Sequence, residues 1–403
     1  MRQHQASPRV FAAALALAIV FALAIVPGRT SAQTAGPETL GFKKHFSVEI
    51  TNPSKLTLED QAVILEVNDI RATVAPDFNT YMYALFEVKG GDYNLVVSQA
   101  DDLDKDRYHD EIVLVRTLAA ASTTRLVCYY TPNKSFQLMP TAKAFARGSW
   151  ETGGPEAGWE SNLVAYEFSR GAIGVLGKLR PGLVMRGFPA GLTKTDWGLN
   201  VLDPGESAGA GGLSLWDRPT RLPLFGPGAP QAKVTVISPG PVRGLVKAEY
   251  PAVKTAAGDV SVTVYLSAFA DNIYSRQDVV VTSKASSPIA LGPGLERLPS
   301  AEWSFDKAKG TLAAFGKGAG KAGEIGLAAI FPPSDLLDLD DSPLERTVKL
   351  GARPGRKLTY WVAAAWEKGA TAADASSAKA WTAHVDDLAA RLLVPVKVEF
   401  KAP

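Results

Sequence analysis

From His45 onward, apolar residues alternate with polar ones in short runs. Phe46-Ser-Val-Glu-Ile, Val63-Ile-Leu-Glu-Val, Ala72-Thr-Val, Tyr81-Met-Tyr-Ala-Leu-Phe-Glu-Val and Tyr93-Asn-Leu-Val-Val are separated by Asn, Pro, Asp and Gly. Such runs read as half-buried antiparallel strands, and they predict a small β-sandwich over residues 40–140. A second series begins at Asn162-Leu-Val-Ala-Tyr-Glu-Phe and continues through Val242-Arg-Gly-Leu-Val-Lys-Ala-Glu-Tyr, Val260-Ser-Val-Thr-Val-Tyr-Leu and Ser275-Arg-Gln-Asp-Val-Val-Val to Leu358-Thr-Tyr-Trp-Val-Ala-Ala-Ala-Trp. So many consecutive strands fit a large two-sheet sandwich over residues 150–403. One stretch departs from period two. Across Ala372–Leu393, Trp381, Leu388 and Leu392 recur at helical spacing, which predicts a C-terminal helix packed on the sandwich. The fold class is all-β with that one helix.

The N-terminus reads differently. Arg2 and Arg9 precede an apolar run from Val10 to Val26, followed by the small residues Thr30, Ser31 and Ala32. This order describes a signal peptide over residues 1–32 and a periplasmic or secreted protein; an uncleaved anchor is the alternative, and after cleavage no membrane span is expected. The single cysteine, Cys128, excludes an intrachain disulfide framework. With 43 basic and 41 acidic residues the formal charge is +2, too little bias to suggest a nucleic-acid partner.

Candidate chemistry gathers in three places. In Asp101-Asp-Leu-Asp-Lys-Asp-Arg-Tyr-His-Asp, the residues Asp102, Asp104, Asp106 and Asp110 alternate as calcium ligands do, although Arg107 stands where an EF-hand needs glycine. A structural calcium loop and a solvated acidic turn are both open. Trp159, Glu160 and Asn162 place an aromatic face beside polar groups able to hold a sugar. The stretch Asp196–Asp217, with Trp197, Asn200, Trp216 and five glycines, reads as an irregular, ligand-facing loop. Nucleotide cofactors are not expected: Gly316-Lys-Gly-Ala-Gly-Lys-Ala lacks the phosphate-loop spacing. Few histidines remain (His45, His109 and His384 beyond the leader), which argues against a histidine-built zinc site and a Ser-His-Asp triad.

The order of these motifs, from Gln99-Ala-Asp-Asp-Leu-Asp through Trp159-Glu-Ser-Asn-Leu-Val-Ala-Tyr-Glu-Phe and Asp196–Asp217 to Tyr360-Trp-Val-Ala-Ala-Ala-Trp-Glu, resembles the bacterial domain of unknown function family 4861. The resemblance spans about residues 45–400. It implies a secreted protein of polysaccharide breakdown whose large sandwich is similar to the galactose-mutarotase-like supersandwich, and it suggests lyase- or dehydratase-like action on uronic-acid oligosaccharides. Elimination beside a sugar carboxylate needs a cation to neutralise that carboxylate and a base to take a proton. Arg186 or Arg243 is expected in the first role, Tyr166 or Asp196 in the second, with Trp197 and Trp216 as stacking platforms. Many members of the family carry a histidine shortly before the Asp-x-Gly of the central segment; here Leu192-Thr-Lys-Thr precedes Asp196. A non-catalytic carbohydrate-binding protein, a glycoside hydrolase using paired carboxylates, and a purely structural envelope role are the alternatives.

Overall fold

The structure is a computed structural model; it describes residues 37, 41–132, 140–149, 153–186, 197–256 and 258–403. The expected leader at residues 1–32 and the candidate base Asp196 lie outside the described residues.

The N-terminal sandwich has a five-stranded sheet in which Lys397–Lys401, Lys44–Asn52, Ser122–Tyr130, Tyr83–Lys89 and Asp92–Val96 lie side by side, all antiparallel. Its last strand in sequence is therefore its edge strand in space, and both ends of the described chain meet in this sheet. A three-stranded sheet, Leu58–Glu66, Glu111–Leu118 and Ser98–Asp101, packs beneath it. Glu111–Leu118 is apolar on both faces for a physical reason. Ile112 and Leu114 enter the N-terminal core, while Val113 and Val115 pack against the core of the large sandwich. A strand covered on both sides loses the polar half of its alternation.

One expectation fails here. Ala72-Thr-Val is not a strand; Ala72 and Thr73 end a two-turn helix, Val67–Thr73. Val67 and Ile70, three residues apart, are its buried face, a helical period that a three-residue window cannot reveal.

The large sandwich sets an eight-stranded sheet against two five-stranded ones. The eight run Lys233–Pro239, Arg243–Thr255, Gly258–Phe269, Tyr274–Thr282, Lys357–Trp366, Glu324–Ile330, Thr311–Lys317 and Glu302–Asp306. Facing them are Gly198–Leu202, Ala172–Lys178, Val164–Ser169, Ala157–Ser161 and Ala144–Gly148 in one sheet, and Thr220–Pro223, Ala210–Asp217, Ile289–Glu296, Glu345–Ala352 and Leu336–Asp341 in the other.

The stretch expected to be an irregular loop, Asp196–Asp217, is instead mostly sheet. Gly198–Leu202 is the edge strand of the first facing sheet and Ala210–Asp217 an inner strand of the second. A parallel bridge from Ile173 to Gly209 ties the two sheets together. Gly209 has φ +63°, and a Cβ there would collide with the Ile173 carbonyl; the glycines that look loop-like in sequence allow two backbones to meet.

The predicted C-terminal helix is Ala378–Leu392, burying Trp381, Val385, Leu388, Ala389 and Leu392. Ser377 caps it, accepting from the Ala380 N–H at 3.2 Å. The register shows which face it covers. Ile325 pairs with Trp366, whose ring lies 2.6 Å from where a Gly177 Cβ would stand on the facing sheet. Alternation turns Gly326 the other way, and there the Trp381 indole fills the space a side chain would take. Its Nε1 donates to the Leu327 carbonyl at 3.0 Å. Gly326→Ala is expected to destabilise the protein by roughly 1–3 kcal/mol through overpacking; an unchanged denaturation midpoint would refute this packing.

Candidate functional site

A cleft of about 1160 Å³ opens where the two sandwiches meet. Its N-terminal wall includes Thr80, Tyr81, Tyr83 and His109; its other wall includes Phe145 and Arg186. Tyr81 is 46% exposed. Its hydroxyl donates to the Arg107 carbonyl at 2.5 Å, and its ring lies 4.8 Å from that of His109. The Thr80 hydroxyl and His109 Nδ1 share a hydrogen bond of 2.8 Å. Burial holds the His109 imidazole below its ordinary 6.5, against the pull of Asp101, Asp102 and Asp110, so it is neutral at physiological pH. Arg186 is exposed, with its guanidinium 5.8 Å from the centre of the Phe145 ring. The cleft thus offers a cation, two flat apolar surfaces, a neutral imidazole and several hydroxyls. No described residue lining it carries a carboxyl group.

Of the residues expected to act on a ligand, Arg186 alone among the described ones lines this cleft. Tyr166 is fully buried, donates to the Ile273 carbonyl at 2.6 Å, and has its phenol pushed far above the usual value by burial. It is no base for a substrate. Arg243 is 3% exposed; Nε and Nη2 donate to Asp101 Oδ2 at 2.8 and 2.5 Å, and Nη2 lies 2.7 Å from Glu111 Oε2. Its charge is already neutralised, and it joins the two sandwiches instead of meeting a ligand. Gln99 completes that joint by accepting from the Val242 and Arg243 N–H groups and donating to Ser238 Oγ.

The expected stacking platforms are occupied as well. Trp159 is fully buried, stacked on Tyr166 at 5.9 Å, with Nε1 donating to Ser275 Oγ. Trp216 is 7% exposed, with Lys349 5.0 Å and Arg221 5.9 Å from its ring. Trp197 is 38% exposed, but the Arg180 guanidinium lies 3.9 Å over its ring. Asn162 exchanges hydrogen bonds with Asp271, donating to Oδ1 at 2.9 Å and accepting from its N–H at 2.7 Å. Asn200 sits on the edge strand with its Oδ1 buried. Glu160 is fully buried in an ion pair with Lys178. Sequence motifs built on Trp beside an acid select these core positions because a buried indole and a buried carboxylate both need polar partners nearby. Tyr81, His109 and Phe145 have no such signal: they are far apart in the chain, and only the packing of the two sandwiches sets Tyr81 and His109 in one cleft with Phe145.

Beside the cleft, Asp102, Asp104 and Asp106 bring carboxylate oxygens within 4.8 Å of one another. That donor set has the chemistry of a hard-cation site. Asp102 already accepts from the N–H groups of Lys105 and Arg107, Asp104 from that of Asp106, and Asp106 from that of Tyr108, as a self-capped acidic turn also does. Asp110 accepts from the Leu103 N–H, while burial raises its carboxyl above the usual range. Among the described residues no helix is long and apolar enough to cross a membrane.

No curated protein matches the chain. Among solved structures, an alpha-mannosidase from Enterococcus faecalis V583 aligns with a TM-score of 0.50 at 8% identity, covering 89% of this chain and 46% of that one. A glycosyl hydrolase family 38 protein from Enterococcus faecalis aligns with a TM-score of 0.48 at 8% identity, covering 89% of this chain and 48% of that one. The chain thus spans about half the length of these proteins, and at such identity the mannosidase likeness concerns the fold alone. The sequence itself is more specific: the family model described as "Domain of unknown function (DUF4861)" matches residues 50–398, from the first sheet of the N-terminal sandwich to the strand that closes it. The chain belongs to the DUF4861 family.

Proposed function

We propose that this protein takes acidic oligosaccharides outside the cytoplasm and that the cleft between its two sandwiches is where they bind. The observation that carries this reading is that one cleft is lined by the exposed Arg186 from the large sandwich and by the exposed Tyr81 and by His109 from the N-terminal one. A sugar ring presents an apolar face and a rim of hydroxyls, which suits aromatic side chains beside hydrogen-bonding groups. A uronate adds a carboxylate, and a guanidinium is the side chain whose geometry matches it. The fold likeness to an alpha-mannosidase supports a carbohydrate ligand, and the leader-like residues 1–32 support a site of action beyond the inner membrane.

A neutral imidazole next to a bound uronate is suited to accept a proton, so lyase- or dehydratase-like elimination is the chemistry we favour. In that reaction His109 accepts the proton α to the carboxylate, Arg186 balances the charge that builds on the carboxylate, the C–O bond to the leaving oxygen breaks as the double bond forms, and that oxygen takes a proton from the imidazolium or from water. Paired-carboxylate hydrolysis is less well supported, because the described lining supplies no carboxyl pair. A panel of oligouronates is the test. The wild-type protein is expected to generate an ultraviolet-absorbing unsaturated product, and His109→Gln to lose it while still binding. Binding without product in the wild type would leave the second reading, a non-catalytic carbohydrate-binding protein, which the missing histidine before Asp196 favours.

A further inference from the structure

The turn that carries Arg186 to the cleft is clamped from beneath by a buried ion pair. Glu160 and Lys178 come from Ala157–Ser161 and Ala172–Lys178, two strands of one sheet, and their side chains are fully buried. Lys178 Nζ donates to Glu160 Oε2 at 2.5 Å, to the Ser161 carbonyl at 2.5 Å and to the Gly182 carbonyl at 2.7 Å, using all three hydrogens. Glu160 in turn accepts from the Val184 N–H at 2.9 Å and the Met185 N–H at 2.8 Å. From the other side Arg147 Nη1 donates to the Met185 carbonyl at 2.8 Å. The Met185 side chain is itself buried among Ala165, Leu176 and Val184. The residue directly before Arg186 is therefore held at its N–H, its carbonyl and its side chain.

A buried ion pair gives little net stability compared with an apolar pair of the same volume. What this one does supply is partners for backbone groups of a turn that lies outside the described strands. We infer that Glu160 and Arg147 are positioning residues that fix Arg186 for a ligand carboxylate. This rests on the reading of Arg186 given above. A guanidinium gains its full bidentate geometry only if its backbone is fixed, since the entropy of ordering the turn otherwise falls on binding.

The test compares the tightest-binding member of a panel of short oligouronates with its methyl ester, the same rings without the charge. Arg186→Ala is expected to erase a preference for the acid of about tenfold to a hundredfold, the range for a hydrogen bond to a charged group. Glu160→Gln and Arg147→Met are each expected to lower that preference by about tenfold, with ester affinity unchanged. General destabilisation would weaken both ligands alike and leave the preference intact. Should Glu160→Gln fail to fold, Arg147→Met decides, because Arg147 is only half buried. If Arg186→Ala erases the preference while the folded positioning variants keep it, the inference is overturned and the reading of Arg186 stands. If Arg186→Ala keeps the preference, or the wild type has none, that reading falls and this inference with it.

Discussion

Arg243→Met is expected to lower the unfolding free energy by roughly 3–5 kcal/mol, the cost of removing one partner from a buried ionic cluster. The side chain is 3% exposed and faces Asp101, at 1%, and Glu111, at 3%. Taking away the guanidinium leaves two carboxylates buried near one another with no cation between them. Each must then stay charged in a poorly solvating interior or take up a proton. The same cluster joins the three-stranded sheet of the N-terminal sandwich to Arg243–Thr255 of the large one, and Gln99 ties both to Ser238. The effect is therefore expected as a loosening of the joint as well as a loss of stability. Chemical denaturation followed by tryptophan fluorescence checks it. The triple replacement Arg243→Met, Asp101→Asn, Glu111→Gln should recover much of the loss, because it removes the unpaired charges along with the pair. A loss below about 1 kcal/mol for Arg243→Met would mean that water reaches the cluster.

Lys178→Met should cost a similar amount, again roughly 3–5 kcal/mol, by leaving Glu160 charged and buried. Burial already holds the Lys178 ammonium below its ordinary 10.5, with Glu160 opposing that shift. The sign follows from which state binds more protons. The unfolded lysine does between its depressed folded pKa and 10.5, so the contribution of Lys178 to stability grows as pH rises through that window. The double variant Lys178→Met, Glu160→Gln is expected to be more stable than Lys178→Met alone, although the Gly182 carbonyl loses its donor in both. Strict additivity of the two single changes in a double-mutant cycle would contradict the coupling.

Much of the scaffold is legible in the sequence because strand alternation and helical spacing are local signals. The strands from Phe46 to Trp366 and the helix around Trp381, Leu388 and Leu392 follow from them directly. What local patterns miss is the use to which a residue is put. The glycines between Gly205 and Gly212 look like an irregular loop, yet Gly209 serves the approach of two sheets. Trp159, Glu160, Tyr166 and Arg243 look like a ligand constellation, and each spends its polar atoms on the interior. In sequence, a buried polar residue that must be satisfied and an exposed one that must bind have the same neighbours. Arg186 carries no motif, and its placement depends on a turn fixed by Lys178, which ends the preceding strand, and by Glu160, from a strand earlier in the chain. Tyr81 and His109 meet Arg186 and Phe145 only across the junction of the sandwiches.

The most direct measurement is calorimetric titration of the full chain with a panel of short oligouronates, alongside Arg186→Ala and Tyr81→Ala. Saturable binding is expected for at least one oligouronate, weakened about tenfold or more by Arg186→Ala, consistent with the loss of one charged hydrogen bond, and weakened also by Tyr81→Ala. Binding that is unaffected by both substitutions, or absent from every oligouronate in the panel, would contradict a uronate site in this cleft.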